Sequence, residues 1–466
     1  MVASPNINDL LTSADYIVFI LILVITLFFV FWGHLKKPKN LNESETFLDM
    51  MLMGRRLTLP MFVMTMVATW YGGVFGVSQI AFNYGIFNFV TQGVFWYITY
   101  LIFAFFIVKK IKSYQAITLP DLIGQMFGSK SEKLAGVMNI LNLIPVVYTI
   151  SLGLLLKMIF GIPLELGIIL GVSFVLLYSL VGGFRSVVFS DIFQFFIMLS
   201  AIILVFVQSY LNYDFKILSI LPDHYFSPLS KFTLLETFSW GLIALSTLVD
   251  PNFYQRCFAA ESFQTAKKGI IVSTSIWIIF DLSLTMGAMY AKAVIPDADP
   301  EYGYFLYALQ ILPSGMRGFF LAGISATILS TLDSYIFLAG TTISYDMVPK
   351  RFRGKRSIHY TGIISVALLS IIMAHLFEGN IKNIWKTLGS ISSSALLIPI
   401  LFGHMYKGKL SDNAFFYSSI LGAIGTIFWR MSGMKQKYQL DEIYIGMSCA
   451  TIGIGIFLAQ KKLLNK

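Results

Sequence analysis

Thirteen apolar runs, each long enough to cross a bilayer as a helix, follow one another along this chain, and that succession fixes most of what it can fold into. The first covers about 16–32. The others lie at about 59–83, 87–108, 134–160, 164–182, 186–209, 235–255, 269–291, 318–346, 360–377, 384–405, 414–431 and 441–460. Within a bilayer core every backbone N–H and C=O must be bonded inside the segment, so the expected fold class is all-α, a polytopic membrane protein with about 13 transmembrane helices. Charged residues make up 12% of the 466, against about 25% in an ordinary soluble domain, which excludes a soluble fold. The runs leave no length for a separate catalytic domain, so residues 1–466 read as one membrane domain. The first run has no cation before it after the start and no small-residue cleavage site behind it, which reads as a retained anchor and not a signal peptide. Cys257 and Cys449 stand far apart and form neither a disulfide framework nor a CxxC pair.

Cations set the orientation. With the N-terminus outside, 24 of the 34 Lys and Arg fall in cytoplasmic loops, among them Lys36, Lys37, Lys39, Arg55, Arg185, Arg256, Lys407, Lys409 and Lys466. The net charge of +10 therefore reports topology and not a nucleic-acid partner. The expected location is the plasma (inner) membrane, multi-pass, N-terminus outside and C-terminus cytoplasmic.

Two runs carry helix breakers in their middles. The second contains ATWYGGVFG with Gly72 and Gly73, and the seventh, five spans later, contains STLVDPNF with Asp250 and Pro251. Glycine has the greatest backbone freedom, and proline removes a donor and clashes with the preceding turn, so both helices can unwind and expose carbonyls. Either break alone is also what an ordinary bent membrane helix contains. Their matched positions point to a transporter of inverted repeats, the repeats being about 59–209 and 235–405, with the site between the broken helices.

Four acids, Asp191, Asp250, Asp281 and Asp333, lie within or at the margin of apolar spans, where a charge costs about 2.5 kcal/mol or more. In the ninth run Thr327, Ser330, Asp333 and Ser334 share one helix face, with Thr331 beside them. Hydroxyls in membrane helices commonly bond back to their own carbonyls, but the carboxylate calls for a cation, a proton or a partner. Hard oxygens of this kind suit sodium.

LVGGFRSVVFSDIFQ at 180–194 resembles the signature of the sodium:solute symporter family, which includes proline, pantothenate, choline and glucose cotransporters. FLDMMLMGRRL, ATWYGGVFG, TLPDLIGQMFG, DPNFYQRCFAA and ILSTLDS lie in register with it, and the resemblance covers about 45–405. It implies a leucine-transporter-like core of two inverted five-helix repeats, an extra N-terminal helix at 14–34 and two C-terminal helices within 413–462. It implies a sodium site formed by the carbonyls of Ala68, Tyr71 and Thr327 with the hydroxyls of Ser330 and Thr331. A second cation site, known in some members, would match Asp191, Ser330, Asp333 and Ser334. Asp333 stands where some members have a hydroxyl, which leaves a second ion, a proton or a structural carboxylate open there.

The solute is expected between the broken helices and the fourth span, with Thr69, Trp70, Gly72, Gly73, Tyr148, Ser246, Thr247 and Asp250 as candidates. The Tyr-Trp and Asn pattern of the sugar carriers is missing from the seventh span, so a sugar is disfavoured. Trp240 is similar to a tryptophan of the proline carriers but lies about one turn too far from Pro251, and is not carried over. Arg185 and Arg256 read as closing cytoplasmic helix ends, bonded to helix carbonyls and lipid phosphates and away from the solute.

The expected function is sodium-coupled symport of a small polar organic solute, an amino acid such as proline, pantothenate or similar, into the cytoplasm. The alternative is a proton-coupled carrier of the same fold, with Asp191 and Asp333 titrating. No enzyme is expected: the five histidines form no HxxxH or HExxH set, and no GxSxG or glycine-rich phosphate loop finds suitable partners. The expected partners are the solute, sodium and the lipid bilayer, with no cofactor, no other metal, no nucleic acid and no obligatory protein partner.

Overall fold

The computed structural model describes residues 10–38, 42–353, 355–376, 381–406, 408, 410–438 and 440–464. Lys39, Lys407, Lys409 and Lys466 of the cation tally lie outside the described residues. All regular elements among the described residues are helices, and one isolated β-bridge joins Leu57 to Ala260. Nine helices among the described residues are long and apolar enough to cross a membrane.

The spans expected second and seventh are each interrupted. Leu59–Ala68 and Val74–Tyr84 are separate helices, and Leu234–Ala244 passes through a 3-10 turn, Leu245–Val249, before Pro251–Ala259. The fifth and sixth runs form one continuous element of 50 residues, Leu164–Tyr213, that turns at Gly183 (φ 64°, ψ −163°). A side chain at Gly183 would meet both that backbone conformation and the Met50 carbonyl, 2.9 Å from where its Cβ would stand.

Helix Ser13–Leu35 shows how the outer layer is built. Thr12 and Asp15 form a capping box, with the Thr12 N–H and hydroxyl donating to Asp15 at 2.9 and 2.8 Å. Asp15 also accepts the backbone N–H groups of Gly315 and Gly318, at 2.8 and 3.0 Å, which ties this helix to the start of Met316–Thr341. Phe19, Ile22, Thr26 and Val30 line its buried stripe at three- and four-residue spacing, while Ile17, Leu21, Val24 and Phe28 face outward, as lipid contact requires.

Met316–Thr341 is the centre of the molecule. From Phe320 to Thr341 every residue is buried, packed chiefly against Leu164–Tyr213. A helix covered on all sides can carry polar side chains only where they meet one another, the backbone or a bound ion. Thr327, Ser330, Thr331, Asp333 and Ser334 sit in its middle.

Candidate ion and solute site

Leu59–Ala68 ends when Thr69 leaves helical geometry (φ −90°, ψ 27°), and Gly73 caps the next helix. Between them Gly72 approaches the core so closely that a Cβ would stand 2.5 Å from Tyr148 Cδ1 and 2.7 Å from Thr331 Cβ. Only a residue without a side chain allows this contact of the broken segment with the central helix.

Across that contact Ser330 Oγ lies 2.7 Å from the carbonyl of Ala68, 2.7 Å from that of Ala326 and 3.3 Å from that of Thr327. Thr331 Oγ1 donates to the Thr327 carbonyl at 3.0 Å. Ala68, Tyr71, Thr327, Ser330 and Thr331, the five residues expected at one sodium site, are all buried. Hydrogen bonds join four of them, and Tyr71 enters through the chain, three residues past Ala68. The result is a neutral set of carbonyl and hydroxyl oxygens from two helices, a donor set that suits a hard monovalent cation.

One turn away lies a buried charged cluster that the sequence reading did not place. Arg256, fully buried, donates through Nη1 to Asn252 Oδ1 (3.0 Å) and through Nη2 to Thr65 Oγ1 (3.2 Å) and Ser334 Oγ (3.1 Å), with Asp191 Oδ2 at 3.7 Å. The Thr65 hydroxyl donates to Asp191. Asp333 is buried in the same region, and neither of its oxygens has a hydrogen-bond partner among the described residues. Of the four residues expected at a second cation site, Asp191 and Ser334 therefore meet a guanidinium, while Ser330 turns toward Ala68. Arg256 does lie in the last turn of Pro251–Ala259, as expected, but this is the inner half of a broken span, and its fully buried guanidinium meets side chains of other helices, not lipid. Arg185 is likewise buried, paired with Asp49 and not with helix carbonyls or lipid.

A cavity of about 110 Å3 lies between the two broken helices. Of the eight solute candidates, Trp70, Gly73, Tyr148, Ser246 and Asp250 line it. Thr69, Gly72 and Thr247 do not: the Thr69 hydroxyl bonds back to the Thr65 carbonyl at 2.8 Å, Gly72 is wedged behind Tyr148, and Thr247 is buried. Tyr71, Gln92, Trp96, Asn142, Trp240 and Tyr335 complete most of the wall and were missed. Trp240 was set aside on its spacing to Pro251. The five residues of Leu245–Val249 form a 3-10 turn, which turns the preceding face by about 100° relative to α-helical counting and brings Trp240 round to the cavity.

The wall is largely aromatic. Trp70 packs against Tyr100 and Phe253 at 5.5 and 5.4 Å between ring centroids, and Tyr148 meets Tyr335 edge-on at 4.8 Å. Asp250 caps Pro251–Ala259 through Oδ1, which accepts the Asn252 N–H at 2.8 Å. Among the described residues no Lys, Arg or His lines the cavity, so Asp250 is its one formal charge. A second cavity of about 170 Å3, lined by Tyr84, Phe232, Glu236, Lys435 and Asp441, shares Trp240 with the first and extends toward one face of the molecule. At the opposite end the chain is closed by backbone bonds from Leu57 N–H to Ala259 O (3.0 Å) and from Glu261 N–H to Leu57 O (3.1 Å). Arg55 reinforces that closure on the carbonyls of Phe258 (3.2 Å), Gln115 (3.0 Å) and Ala116 (2.9 Å).

Comparison with known proteins agrees with this architecture. The chain is 24% identical over 376 residues to the osmoregulated proline transporter OpuE of Bacillus subtilis (strain 168), covering 74% of this chain and 75% of that one. It is 24% identical over 360 residues to a sodium/proline symporter of Staphylococcus aureus (strain NCTC 8325 / PS 47), covering 71% of this chain and 68% of that one. Its fold is similar to that of a Na+-coupled sialic acid symporter in a substrate-bound outward-open state, with a TM-score of 0.76 at 14% identity over 96% of this chain and 98% of that one. A nucleobase-cation-symport-1 family transporter in a closed conformation matches with a TM-score of 0.58 at 12% identity, over 87% of this chain and 92% of that one. The family model of the sodium:solute symporters matches residues 50–422, a stretch that includes both broken helices and the whole of Met316–Thr341. This chain, with its leucine-transporter-like fold, belongs to the sodium:solute symporter family.

Proposed function

We propose that this protein moves sodium together with a small organic solute carrying a positive or zwitterionic group, an amino acid such as proline among them, into the cytoplasm. The observation that carries the reading is the contact at Gly72, where the broken segment touches Thr331 on one side and Tyr148 of the cavity wall on the other. Sodium at the carbonyls of Ala68, Tyr71 and Thr327 and the hydroxyls of Ser330 and Thr331 would replace the hydrogen bond from Ser330 to Ala68 with an ion contact. That fastens the broken helix to the central one, and the glycine contact passes the change to the solute. By linkage, the factor by which sodium raises solute affinity is the factor by which solute raises sodium affinity.

Asp250, the one charge among aromatic rings, supports an ammonium-bearing solute, since a carboxylate and aromatic faces both attract a cation. The names of the proline-carrying relatives support the same class. With the two repeats at 59–209 and 235–405, the N-terminus outside and the C-terminus cytoplasmic, rocking of the helix bundle against the scaffold would expose the site to the cytoplasm, where low sodium and the inside-negative potential favour release. One charge moved through 100 mV supplies about 2.3 kcal/mol.

The test is uptake into proteoliposomes of labelled proline, pantothenate, choline, a monocarboxylate and glucose, each with an imposed sodium gradient and with potassium in its place at fixed pH. Concentrative uptake of an amine-bearing solute only with sodium is the expected result. In Ser330→Ala and Thr331→Ala the sodium concentration for half-maximal uptake should rise by about tenfold or more, and unchanged values in both would remove the ion site. Uptake indifferent to sodium and driven by a proton gradient would transfer coupling to Asp191 and Asp333.

A further inference from the structure

Asp281 belongs to neither the sodium oxygens nor the cavity wall, yet it is a carboxylate buried to 1% exposure in the middle of a membrane helix, Phe263–Val294. Among the described residues no cation lies within ion-pair distance of it. Such a group persists in a membrane only where its oxygens are satisfied and its position has a use. Here both oxygens are taken: the Tyr71 hydroxyl donates to Oδ1 and the Tyr97 hydroxyl to Oδ2. Tyr71 also stacks on Phe280, the residue before Asp281, with ring centroids 4.4 Å apart. Gly93 makes room for the Tyr97 hydroxyl, which stands 2.7 Å from where a Cβ at position 93 would be.

The two donors come from unlike places. Tyr97 belongs to a regular helix, Phe95–Ile102, whose own backbone holds it. Tyr71 lies in the unwound segment between Leu59–Ala68 and Val74–Tyr84 and is followed by two glycines, so no helical hydrogen bond fixes the direction of its peptide groups. Its side chain is the anchor that remains. An aspartate accepts two hydroxyls at once on two oxygens; an asparagine offers a single carbonyl oxygen, and a leucine offers none.

We infer that Asp281 is a positioning residue for ion coupling: with Tyr97 as its fixed support, it clamps the Tyr71 side chain and thereby aims the Tyr71 carbonyl at the sodium. The inference rests on the proposed sodium site. It adds that the geometry of that site is set by a carboxylate that touches neither the ion nor the solute.

The experiment uses the full chain, purified in detergent and reconstituted, as wild type, Tyr71→Phe, Asp281→Asn and Tyr97→Phe. Tyr71→Phe removes only the hydroxyl and leaves the carbonyl, so it guards against misfolding of the aspartate variant. Hydrogen–deuterium exchange is read over residues 69–76 in potassium, without sodium, and the sodium concentration for half-maximal uptake is read in proteoliposomes. Exchange in that segment is expected to quicken by about tenfold in Tyr71→Phe and Asp281→Asn, with exchange elsewhere unchanged. The sodium requirement should rise by a similar factor while solute half-saturation at saturating sodium moves less than about twofold. Tyr97→Phe, which leaves the Tyr71 bond in place, should show a smaller change in both.

Exchange over 69–76 that stays at the wild-type value in Tyr71→Phe and Asp281→Asn overturns the clamp, whatever the uptake shows. Faster exchange with an unchanged sodium requirement overturns its role in coupling. A wild type that transports without any sodium dependence, while the variants still exchange faster, brings down the proposed function and leaves the clamp standing.

Discussion

The two helix breaks face each other across one cavity and are held by opposite means. At the second, two ties lie within a few residues of the break: Asp250 caps the helix that follows it, and the Tyr254 hydroxyl reaches back to the Leu248 carbonyl at 2.9 Å; the distant ties, from Gln255, Arg256 and Ala259, come a turn further on. At the first, local bonds end with Thr69, whose hydroxyl meets the Thr65 carbonyl at 2.8 Å, and resume at Gly73. Its segment is held by a glycine pressed on Thr331 and Tyr148, by a tyrosine clamped to Asp281, and by a carbonyl that meets Ser330, all from other helices. A break fixed by distant partners changes when those partners change; one fixed by itself does not. On the proposed sodium site, this difference would assign the ion-sensing part of the cycle to residues 69–73 and leave the second break to present its carboxylate to the cavity.

The largest test of that contrast is Gly72→Ala. Its Cβ must displace Tyr148 or Thr331, at a cost of about 1–3 kcal/mol, and uptake should fall by at least about tenfold while yield and helical circular dichroism stay near wild type. Normal uptake in this variant would mean the contact transmits nothing. Asp250→Asn comes next. Asparagine caps a helix as well as aspartate does, so thermal stability should hold, but an ammonium-bearing solute should bind about tenfold more weakly. Equal affinity would show that the solute does not read the charge. The smallest change is expected in Tyr254→Phe, which removes one local tie worth about 1 kcal/mol and should leave the sodium requirement as it was. A shift in sodium requirement as large as that of Gly72→Ala would show that the second break also depends on the ion, and the contrast would fail.

What could be read in the sequence was what is local. Gly72–Gly73 and Asp250–Pro251 announce their breaks by their own stereochemistry, and the face of Ser330 follows from helical periodicity alone. Arg256 was misplaced because a cation near the end of an apolar run looks the same whether it meets lipid or meets Thr65, Asp191 and Ser334 from three other helices. Trp96, Tyr335 and Gln92 gave no signal among the many aromatic and polar residues of the other spans, since only packing selects which of them line a cavity. Trp240 was lost to a change of helix type, invisible to counting at 3.6 residues per turn. Asp281 was noticed as a buried acid, but its two tyrosine partners lie 210 and 184 residues away in the chain.

The turn at Gly183 has a consequence for how the chain is made. Since no polar loop separates the two arms of Leu164–Tyr213, they must enter the bilayer together as a hairpin, and Arg185 is the one cation at its bend. Before Asp49 pairs with it, that charge would count among the cations that set which way the segment is threaded. In the folded chain Asp49 pairs with it and the same charge is buried, so a charge that would help orient the segment at its synthesis is no longer presented once the fold is complete.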